Sequence, residues 1–345
     1  MKVTLNRLRD FALVLGLLLG VAPAAAPASV VAFPVAGVGD FGMTVSDMDR
    51  AVAFYVNVLT FRKLSDQEIA GTDFEELEGV FGARARIVRL QLGQQTIALT
   101  SYLTPPERPI PNDSTSNDRW FQHIAIVVSD MGKAYAHLRA AHVTYASPEP
   151  QTLPPSIPAA AGISAFYFKD PDGHALEILH FPPDKGSTAW RAGAGAPLFL
   201  GIDHSAIVVA DTNASLRFYV DQLGFTVAGV SDNFGTEQEH LNNVFGARLH
   251  ITTLRAATGP GIELLEYLTP RSGRPIPGDE RATDIAHWQT RLVEPDASAA
   301  YAAALASGDA LVSPRAVDVP ATTLDFTKGF LLRDPDSHVM EVIQR

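Results

Sequence analysis

An internal duplication constrains the fold of this chain more than any other feature of its sequence. The segment 80–84, Val-Phe-Gly-Ala-Arg, recurs at 244–248, an offset of 164 residues. Nearly the same offset relates other pairs of segments, which are 54–56 and 218–220, 102–105 and 267–270, and 170–172 and 334–336. A near-constant offset over this length predicts two copies of one domain.

Each copy divides again into two smaller units. A short apolar strand candidate, a helical pattern and about three further strands occur in this order four times. In the first unit, for example, Met48, Ala51 and Tyr55 share one helical face. The predicted fold class is α+β, with four βαβββ modules paired into two domains. The predicted boundaries are 37–105 and 119–182 for the modules of domain 1 (37–182), 183–198 for a linker, and 199–270 and 284–345 for the modules of domain 2 (199–345).

The first 28 residues are predicted to be a secretory signal peptide. Lys2, Arg7 and Arg9 give a positive start, an apolar run follows, and small residues lead up to Ala28. The apolar run is about a dozen residues long, which is too short to cross roughly 30 Å of hydrocarbon. We therefore expect an exported protein, periplasmic or extracellular, without a stable membrane anchor after cleavage.

Charge and cysteine content exclude several functions. The formal net charge is −11, and no basic stripe is evident, so the protein would repel phosphate backbones. We expect a small-molecule substrate and no nucleic-acid partner. The sequence contains no Cys, which excludes disulfides, thiolate ligands and a Cys nucleophile. Any bound metal must therefore take nitrogen and oxygen ligands, and nothing in the sequence defines the oligomeric state.

Three phrases of the sequence carry a family resemblance. They are Ile-Asp-His-Ser-Ala-Ile-Val-Val at 202–209, Asp-Pro-Asp-Gly-His-Ala-Leu-Glu at 170–177 and Asp-Pro-Asp-Ser-His-Val-Met-Glu at 334–341. With them the chain resembles the vicinal oxygen chelate superfamily, which includes glyoxalases, epimerases, extradiol dioxygenases and antibiotic-resistance proteins. The resemblance covers nearly all of 37–345. It implies paired modules that close a cup, with metal ligands on the first and last strands of each module, but it does not specify a substrate.

Register identifies the ligand positions that the resemblance implies. The equivalent first-strand positions each lie seven residues before an Asp, and they are Asp40, His123, His204 and Gln289. The equivalent last-strand positions are Ala98, Glu177, Glu263 and Glu341.

The C-terminal half is predicted to hold the metal, because all four of its positions carry a donor. His204, Glu263, Gln289 and Glu341 are the predicted ligands, and His287, two residues before Gln289, is an alternative to it. One imidazole, two carboxylates and an amide oxygen suit a divalent ion such as Zn, Ni, Co, Mn or Fe(II).

The N-terminal half offers a second candidate site. Asp40, His123 and Glu177 could supply three donors there, whereas Ala98 cannot act as a ligand. We interpret this half as a degenerate partner domain.

The predicted chemistry is that of a metal-dependent lyase or isomerase, of the glyoxalase or epimerase type. A divalent ion that chelates two neighbouring substrate oxygens would stabilise an enediolate while a carboxylate moves the adjacent proton. The resemblance implies Glu341 as the first candidate for this base and Glu263 as the second. One alternative is an extradiol dioxygenase with Fe(II) on His204, Gln289 or His287, and Glu341. Another is a small-molecule binding protein of the drug-resistance type.

Polar residues before and within the second copy of the repeated motif are candidates for substrate contacts. Three of them replace Glu76, Glu78 and Gly79 of the first copy, next to the predicted metal cup, and the fourth, the counterpart of Arg84, could meet an anionic substrate. These candidates are His240, Asn242, Asn243 and Arg248.

Overall fold

A computed structural model describes residues 30–105, 108–191, 193, 195–320 and 324–345. The predicted signal peptide, residues 1–28, lies outside this part of the chain. A search of the described residues for a helix of sufficient length and hydropathy to span a bilayer found none.

The first half of the chain contains two modules. Module 1 consists of β1 Gly37–Thr44, α1 Met48–Asn57, β2 Arg62–Ala70, α2 Thr72–Glu78, β3 Arg84–Leu92 and β4 Gln95–Thr104. Module 2 consists of β5 Gln122–Val128, α3 Met131–Ala140, β6 Thr144–Tyr145, β7 Gln151–Thr152, β8 Ser164–Lys169 and β9 Ala175–His180. A short 3₁₀ turn, Thr188–Trp190, lies in the segment predicted as a linker.

The second half repeats this plan. Module 3 consists of β10 Phe199–Val209, α4 Thr212–Leu216 with a π-helical continuation Arg217–Gln222, β11 Thr226–Phe234, α5 Thr236–Asn242, β12 Arg248–Arg255 and β13 Gly261–Thr269. Module 4 consists of β14 Trp288–Val293, α6 Ala297–Ser307, β15 Ala310–Leu311, β16 Val317–Asp318, β17 Lys328–Arg333 and β18 Val339–Gln344. The predicted α+β class with four βαβββ modules is confirmed.

An aspartate ends the turn between the first strand and the first helix of every module. The side chain of each accepts a hydrogen bond from a backbone N–H in the first helical turn, which stabilises the helix start. These N-cap residues are Asp47, Asp130, Asp211 and Asp296. They are the same residues that set the register of the predicted ligand positions.

The modules do not pair in the order in which they follow one another. The described residues form two nine-stranded sheets. Eight strands of the first follow the order β15-β17-β18-β14-β1-β4-β3-β2, and its ninth strand, β16, pairs with β17. Eight strands of the second follow the order β11-β12-β13-β10-β5-β9-β8-β6, and its ninth strand, β7, pairs with β8. One sheet therefore joins modules 1 and 4, and the other joins modules 2 and 3, through antiparallel pairs of first strands. This corrects the expectation that each half of the chain closes its own cup.

A shared core and two equivalent contacts hold the sheets together. One apolar cluster includes buried residues from both sheets and from the helices between them, among them Tyr55 and Tyr219. His174 of module 2 contacts the carbonyl oxygen of Ile285 at 2.7 Å. His338 of module 4 contacts that of Arg119 at 2.8 Å. Both imidazoles also contact an aspartate of the preceding turn, so these turns are buried cross-links between the halves.

Candidate metal centre

Four donor residues from modules 2 and 3 converge on one face of their shared sheet. His123 and Glu177 come from strands β5 and β9, and His204 and Glu263 come from β10 and β13. The parallel pairs β5–β9 and β10–β13 bring a first-strand imidazole near a last-strand carboxylate in each module. The antiparallel seam between β5 and β10 then brings the two pairs together.

The spacing of these donors fits a single ion. His123 Nε2 is 3.1 Å from Glu177 Oε2, and His204 Nε2 is 3.8 Å from the same oxygen and 3.4 Å from Glu263 Oε2. Ligand atoms of His123, Glu177 and His204 all lie within 4.8 Å of one another. Ligands bonded to one ion at about 2.0–2.2 Å lie roughly 3 to 4 Å apart. Two imidazoles and two carboxylates could therefore hold a divalent metal ion.

The electrostatics of the metal-free cluster favour a cation. Burial by itself lowers the pKa of His204, but Glu263, Asp203 and Glu177 outweigh this effect and raise the pKa to about 9. The imidazole therefore carries a proton near neutral pH, where a divalent ion would replace it. The carboxylates of this cluster are largely buried, so solvent screens their negative charge poorly.

A cavity of about 430 Å³ opens above the four donors. Apolar side chains such as Leu179 and Leu265 form part of its wall, and Asn233 and Gln238 supply polar groups. A volume of this size suits a small organic molecule. Residues 185–187 also line the cavity, so the segment predicted as a linker forms part of the site.

The structure does not bring together the predicted ligand set of the C-terminal half. His204 and Glu263 lie in the sheet of modules 2 and 3, whereas Gln289 and Glu341 lie in the sheet of modules 1 and 4. Gln289 Nε2 donates to Glu78 Oε2 at 2.8 Å. The alternative ligand His287 contacts Glu280 Oε1 through Nδ1 at 2.5 Å. The four predicted ligands are separated because their modules belong to different sheets.

An arginine lies at the centre of the cup formed by modules 1 and 4. Arg291 Nε donates to Glu341 Oε2 at 2.6 Å, and Arg291 Nη1 donates to Asp40 Oδ2 at 3.1 Å. Asp325 also contacts this guanidinium, at 3.0 Å. Burial lowers the pKa of Arg291, but these three carboxylates outweigh it and raise the pKa, which keeps the side chain charged. Glu341 is thus paired with an internal cation.

The second predicted group, Asp40, His123 and Glu177, is also divided between the sheets. Asp40 lies beside Arg291 and Arg89 in one cup, whereas His123 and Glu177 lie in the other. The N-terminal half is therefore neither a separate site nor a degenerate one, because it supplies half of the donors at the candidate centre.

None of the four predicted substrate contacts lines the described cavity. His240, Asn243 and Arg248 are exposed, and the Arg248 guanidinium lies 5.8 Å from the ring centroid of Phe234. Asn242 is buried and accepts a hydrogen bond from Gln238. Helix α5 does face the cavity, but it does so through Gln238 and Leu241. Helical periodicity directs positions 240 and 243 to the opposite side.

Comparison with known families assigns the chain. The model of the Glyoxalase/Bleomycin resistance protein/Dioxygenase superfamily matches it twice, at residues 37–178 and 201–342. The chain belongs to this superfamily. A 2-epi-5-epi-valiolone epimerase from an Actinomyces species is 31% identical over 150 residues, which are 40% of this chain and 76% of the relative.

Solved structures of the superfamily share the fold. Glyoxalase I from Zea mays superposes with a TM-score of 0.57 at 15% identity, over 90% of this chain and 92% of the maize chain. A Bacillus subtilis protein provisionally assigned as a dioxygenase gives a TM-score of 0.57 at 16% identity, over 91% of this chain and 86% of its own. At this level of identity the similarity concerns the fold alone.

Proposed function

We propose that this chain is a divalent-metal-dependent epimerase or isomerase whose active site lies between modules 2 and 3. The observation that carries the proposal is the convergence of His123, Glu177, His204 and Glu263 at the floor of one cavity. Membership of the superfamily and the similarity to an epimerase support this choice of chemistry. A bound divalent ion would supply a Lewis acid for two neighbouring oxygens of the substrate.

Glu263 is the residue best placed to move a proton. Its side chain is 21% exposed, whereas that of Glu177 is 5% exposed, so Glu263 is the more accessible carboxylate from the cavity. Thr253 donates to Glu263 Oε1 at 2.8 Å and orients the group. A carboxylate held in this way can remove a proton beside a carbonyl and return it on the same face. Inversion at that carbon would need a proton donor on the opposite face, for which Glu177 is the other carboxylate of the site. Glu341, the base first predicted from the sequence, is instead paired with Arg291.

The apolar part of the wall excludes water from the reacting atoms. Ile251 and Leu265 line the cavity from the two strands that carry Thr253 and Glu263. Asn233 and Gln238 offer neutral amides to substrate hydroxyl groups from the module 3 side. The site therefore combines an acidic floor with a wall that suits a small oxygenated molecule.

Deuterium exchange tests this proposal. The metal-loaded protein is incubated in D₂O with 2-epi-5-epi-valiolone, the compound in the relative's name, and with simple hydroxyketones. We expect incorporation of deuterium beside the carbonyl of at least one compound. In Glu263→Gln the exchange rate should fall about 10²- to 10⁴-fold, the usual contribution of a positioned acid–base group. Glu341→Gln is the matched control, and equal loss of exchange in both variants would contradict the assignment.

A dioxygenase is the second candidate function. Two histidines and one carboxylate are the donor set typical of non-haem Fe(II) oxygenases, and His123, His204 and Glu177 provide it. This set replaces the one predicted from the sequence, which is divided between the two sheets. Glu263 as a fourth donor favours the epimerase, because it reduces the room for O₂ beside a substrate. Oxygen consumption with a catechol by the Fe(II)-loaded protein would reverse this preference.

Export remains part of the proposal. It rests on the sequence pattern of residues 1–28, which the structure does not describe. Expression of the full chain with a C-terminal tag, followed by fractionation and mass determination, should yield a mature form that begins near residue 29 outside the cytoplasm. A full-length product confined to the cytoplasm would contradict export without affecting the metal site.

A further inference from the structure

Asp203 connects the linker and strand β12 to the candidate metal centre. Its carboxylate is buried beside His204, and Oδ2 lies 3.0 Å from His204 Nδ1. Arg255 Nη2 donates to the same oxygen at 2.8 Å, and Arg255 Nη1 donates to the Asp203 carbonyl at 2.9 Å. Trp190 Nε1 donates to Oδ1 at 2.7 Å. Both carboxylate oxygens are therefore held by donors that come from the linker and from β12.

This arrangement occurs at one of the four equivalent positions. The residue before the first-strand ligand position is Asp203 in module 3, but Gly39, Gln122 and Trp288 occupy it in the other modules. The other histidine of the site shows the contrast, since His123 Nδ1 is buried without a hydrogen-bond partner in the described structure. The carboxylate is thus specific to the environment of His204 and does not follow from the module fold.

We propose that Asp203 is a positioning residue for His204, and that Trp190 couples the linker to the metal centre through it. When an ion displaces the proton on Nε2, the hydrogen bond to Asp203 would keep the remaining proton of His204 on Nδ1, so that Nε2 presents its lone pair to the ion. Outer-sphere carboxylates of this kind orient metal-bound histidines and increase their basicity. The inference rests on the proposed function only in so far as the site binds a metal.

Replacement of Asp203 by Asn leaves too few acceptor atoms for its three neighbours. An amide has one acceptor oxygen, whereas Asp203 accepts from Trp190 through Oδ1 and contacts both His204 and Arg255 through Oδ2. If the amide oxygen faces Trp190, the NH₂ group faces His204 Nδ1 and favours the tautomer whose Nε2 carries a proton and cannot bind metal. If the oxygen faces His204, the hydrogen bond to Trp190 is lost.

Cobalt titration of the metal-free protein tests the proposal. We expect Asp203→Asn to bind Co(II) about 10- to 100-fold more weakly than the unaltered protein, with a changed ligand-field absorption spectrum. Asp232→Asn is the matched control, because the exposed Asp232 contacts the partly exposed His250 at 2.7 Å and neither residue lines the cavity. Unaltered affinity and spectrum in Asp203→Asn would overturn the inference.

A double-mutant cycle tests the coupling to Trp190. In a Trp190→Phe background no indole donor remains on that side, so the introduced amide can turn its oxygen toward His204 at little cost. We expect Asp203→Asn to lose less Co(II) affinity there than in the unaltered background. Equal losses in both backgrounds would overturn the role of Trp190.

The failure of this inference is distinguishable from the failure of the proposed function. If the unaltered protein binds no Co(II), Zn(II) or Ni(II), both are overturned. If the unaltered protein binds Co(II) and Asp203→Asn binds it equally well, only the role of Asp203 is overturned, and the proposed metal centre stands.

Discussion

The sheet of modules 2 and 3 and the sheet of modules 1 and 4 have equivalent strand orders, but the buried carboxylates of their cups have different neighbours. In the first, four donors surround a position that could hold a divalent metal ion. In the second, the guanidinium of Arg291 lies between Asp40, Glu341 and Asp325. Both cups therefore neutralise a buried cluster of carboxylates, one with a side chain and the other, in our proposal, with an ion.

Few substitutions account for this difference. His204 pairs in register with Ala125, whose small side chain leaves room above the seam, and Arg291 is the module 4 equivalent of Ala125. Glu263, the last-strand donor of module 3, is matched by Ala98 in module 1. The same backbone thus carries an internal ion pair in one cup and, in our proposal, a metal centre in the other, and the side chains at these positions account for the difference.

The largest expected difference between the cups concerns the equivalent residues Glu177 and Glu341. Glu177→Gln should lower the affinity for Zn(II) or Ni(II) by more than the roughly 100-fold that loss of an outer-sphere partner costs, since it removes a ligand charge. Glu341→Gln should leave affinity and stoichiometry unchanged. Competition titration with a chromophoric chelator measures both. Similar losses in the two variants would remove the distinction between the cups.

Ala125→Arg is expected to convert the first cup into a copy of the second. The new guanidinium would lie opposite His204 and pair with the carboxylates that otherwise face the ion, so stoichiometric metal binding should be lost. Ala125→Met adds a long side chain without charge and should retain metal at reduced affinity. Elemental analysis of the folded variants distinguishes them, and full metal content in Ala125→Arg would contradict the account.

Removal of the internal cation should destabilise the second cup. Arg291→Met leaves Glu341 buried without its cation and leaves Asp40 with Arg89 alone, and loss of one partner of a buried ion pair typically costs about 3–5 kcal/mol. The exposed pair Arg84–Glu68 provides the control, since Arg84→Met should cost less than about 1 kcal/mol. Urea unfolding of the metal-free proteins measures both changes. A loss in Arg291→Met no larger than that of the control would show that the guanidinium does not hold this cup together.

The smallest expected effect is a pH dependence that originates in Glu341. Burial raises the pKa of this carboxyl from 4.5 to about 7, despite its contact with Arg291. In the folded protein this carboxyl keeps a proton that the unfolded chain releases near pH 4.5. The stabilisation that protonated Glu341 adds to the free energy of unfolding is therefore fully present below pH 4.5 and is lost as the pH rises through 7. Its upper limit is roughly 3 kcal/mol. Glu341→Gln should flatten the fall in unfolding free energy between about pH 4.5 and 7.5, and an unchanged slope would contradict this origin.

The sequence predicted the modules and the donor residues, but not their grouping. The internal offset and the Asp N-caps define the register, and this register identified His123, Glu177, His204 and Glu263 as ligand positions. The register within each module does not determine which two modules pair through their first strands. That pairing depends on tertiary packing. Two signals were nevertheless present. Modules 2 and 3 together offer two histidines and two glutamates, and Arg291 replaces Ala125 in a predicted cup.

Other features of the site depend on contacts that only the folded chain shows. The linker looked like a spacer because of its Gly, Ala and Ser content, yet residues 185–187 line the cavity and Trp190 contacts Asp203. The polar residues on and near α5 were predicted to contact the substrate, but none of them lines the cavity, because their orientations depend on which face of the helix packs against the sheet.

Anomalous diffraction from crystals of the Zn(II)- or Ni(II)-loaded protein, recorded at the absorption edge of the metal, tests the central claim most directly. We predict one peak per chain, about 2.0–2.3 Å from donor atoms of His123, Glu177, His204 and Glu263, and no peak beside Arg291. A peak among Gln289, His287 and Glu341, or no peak at saturating metal, would contradict the account.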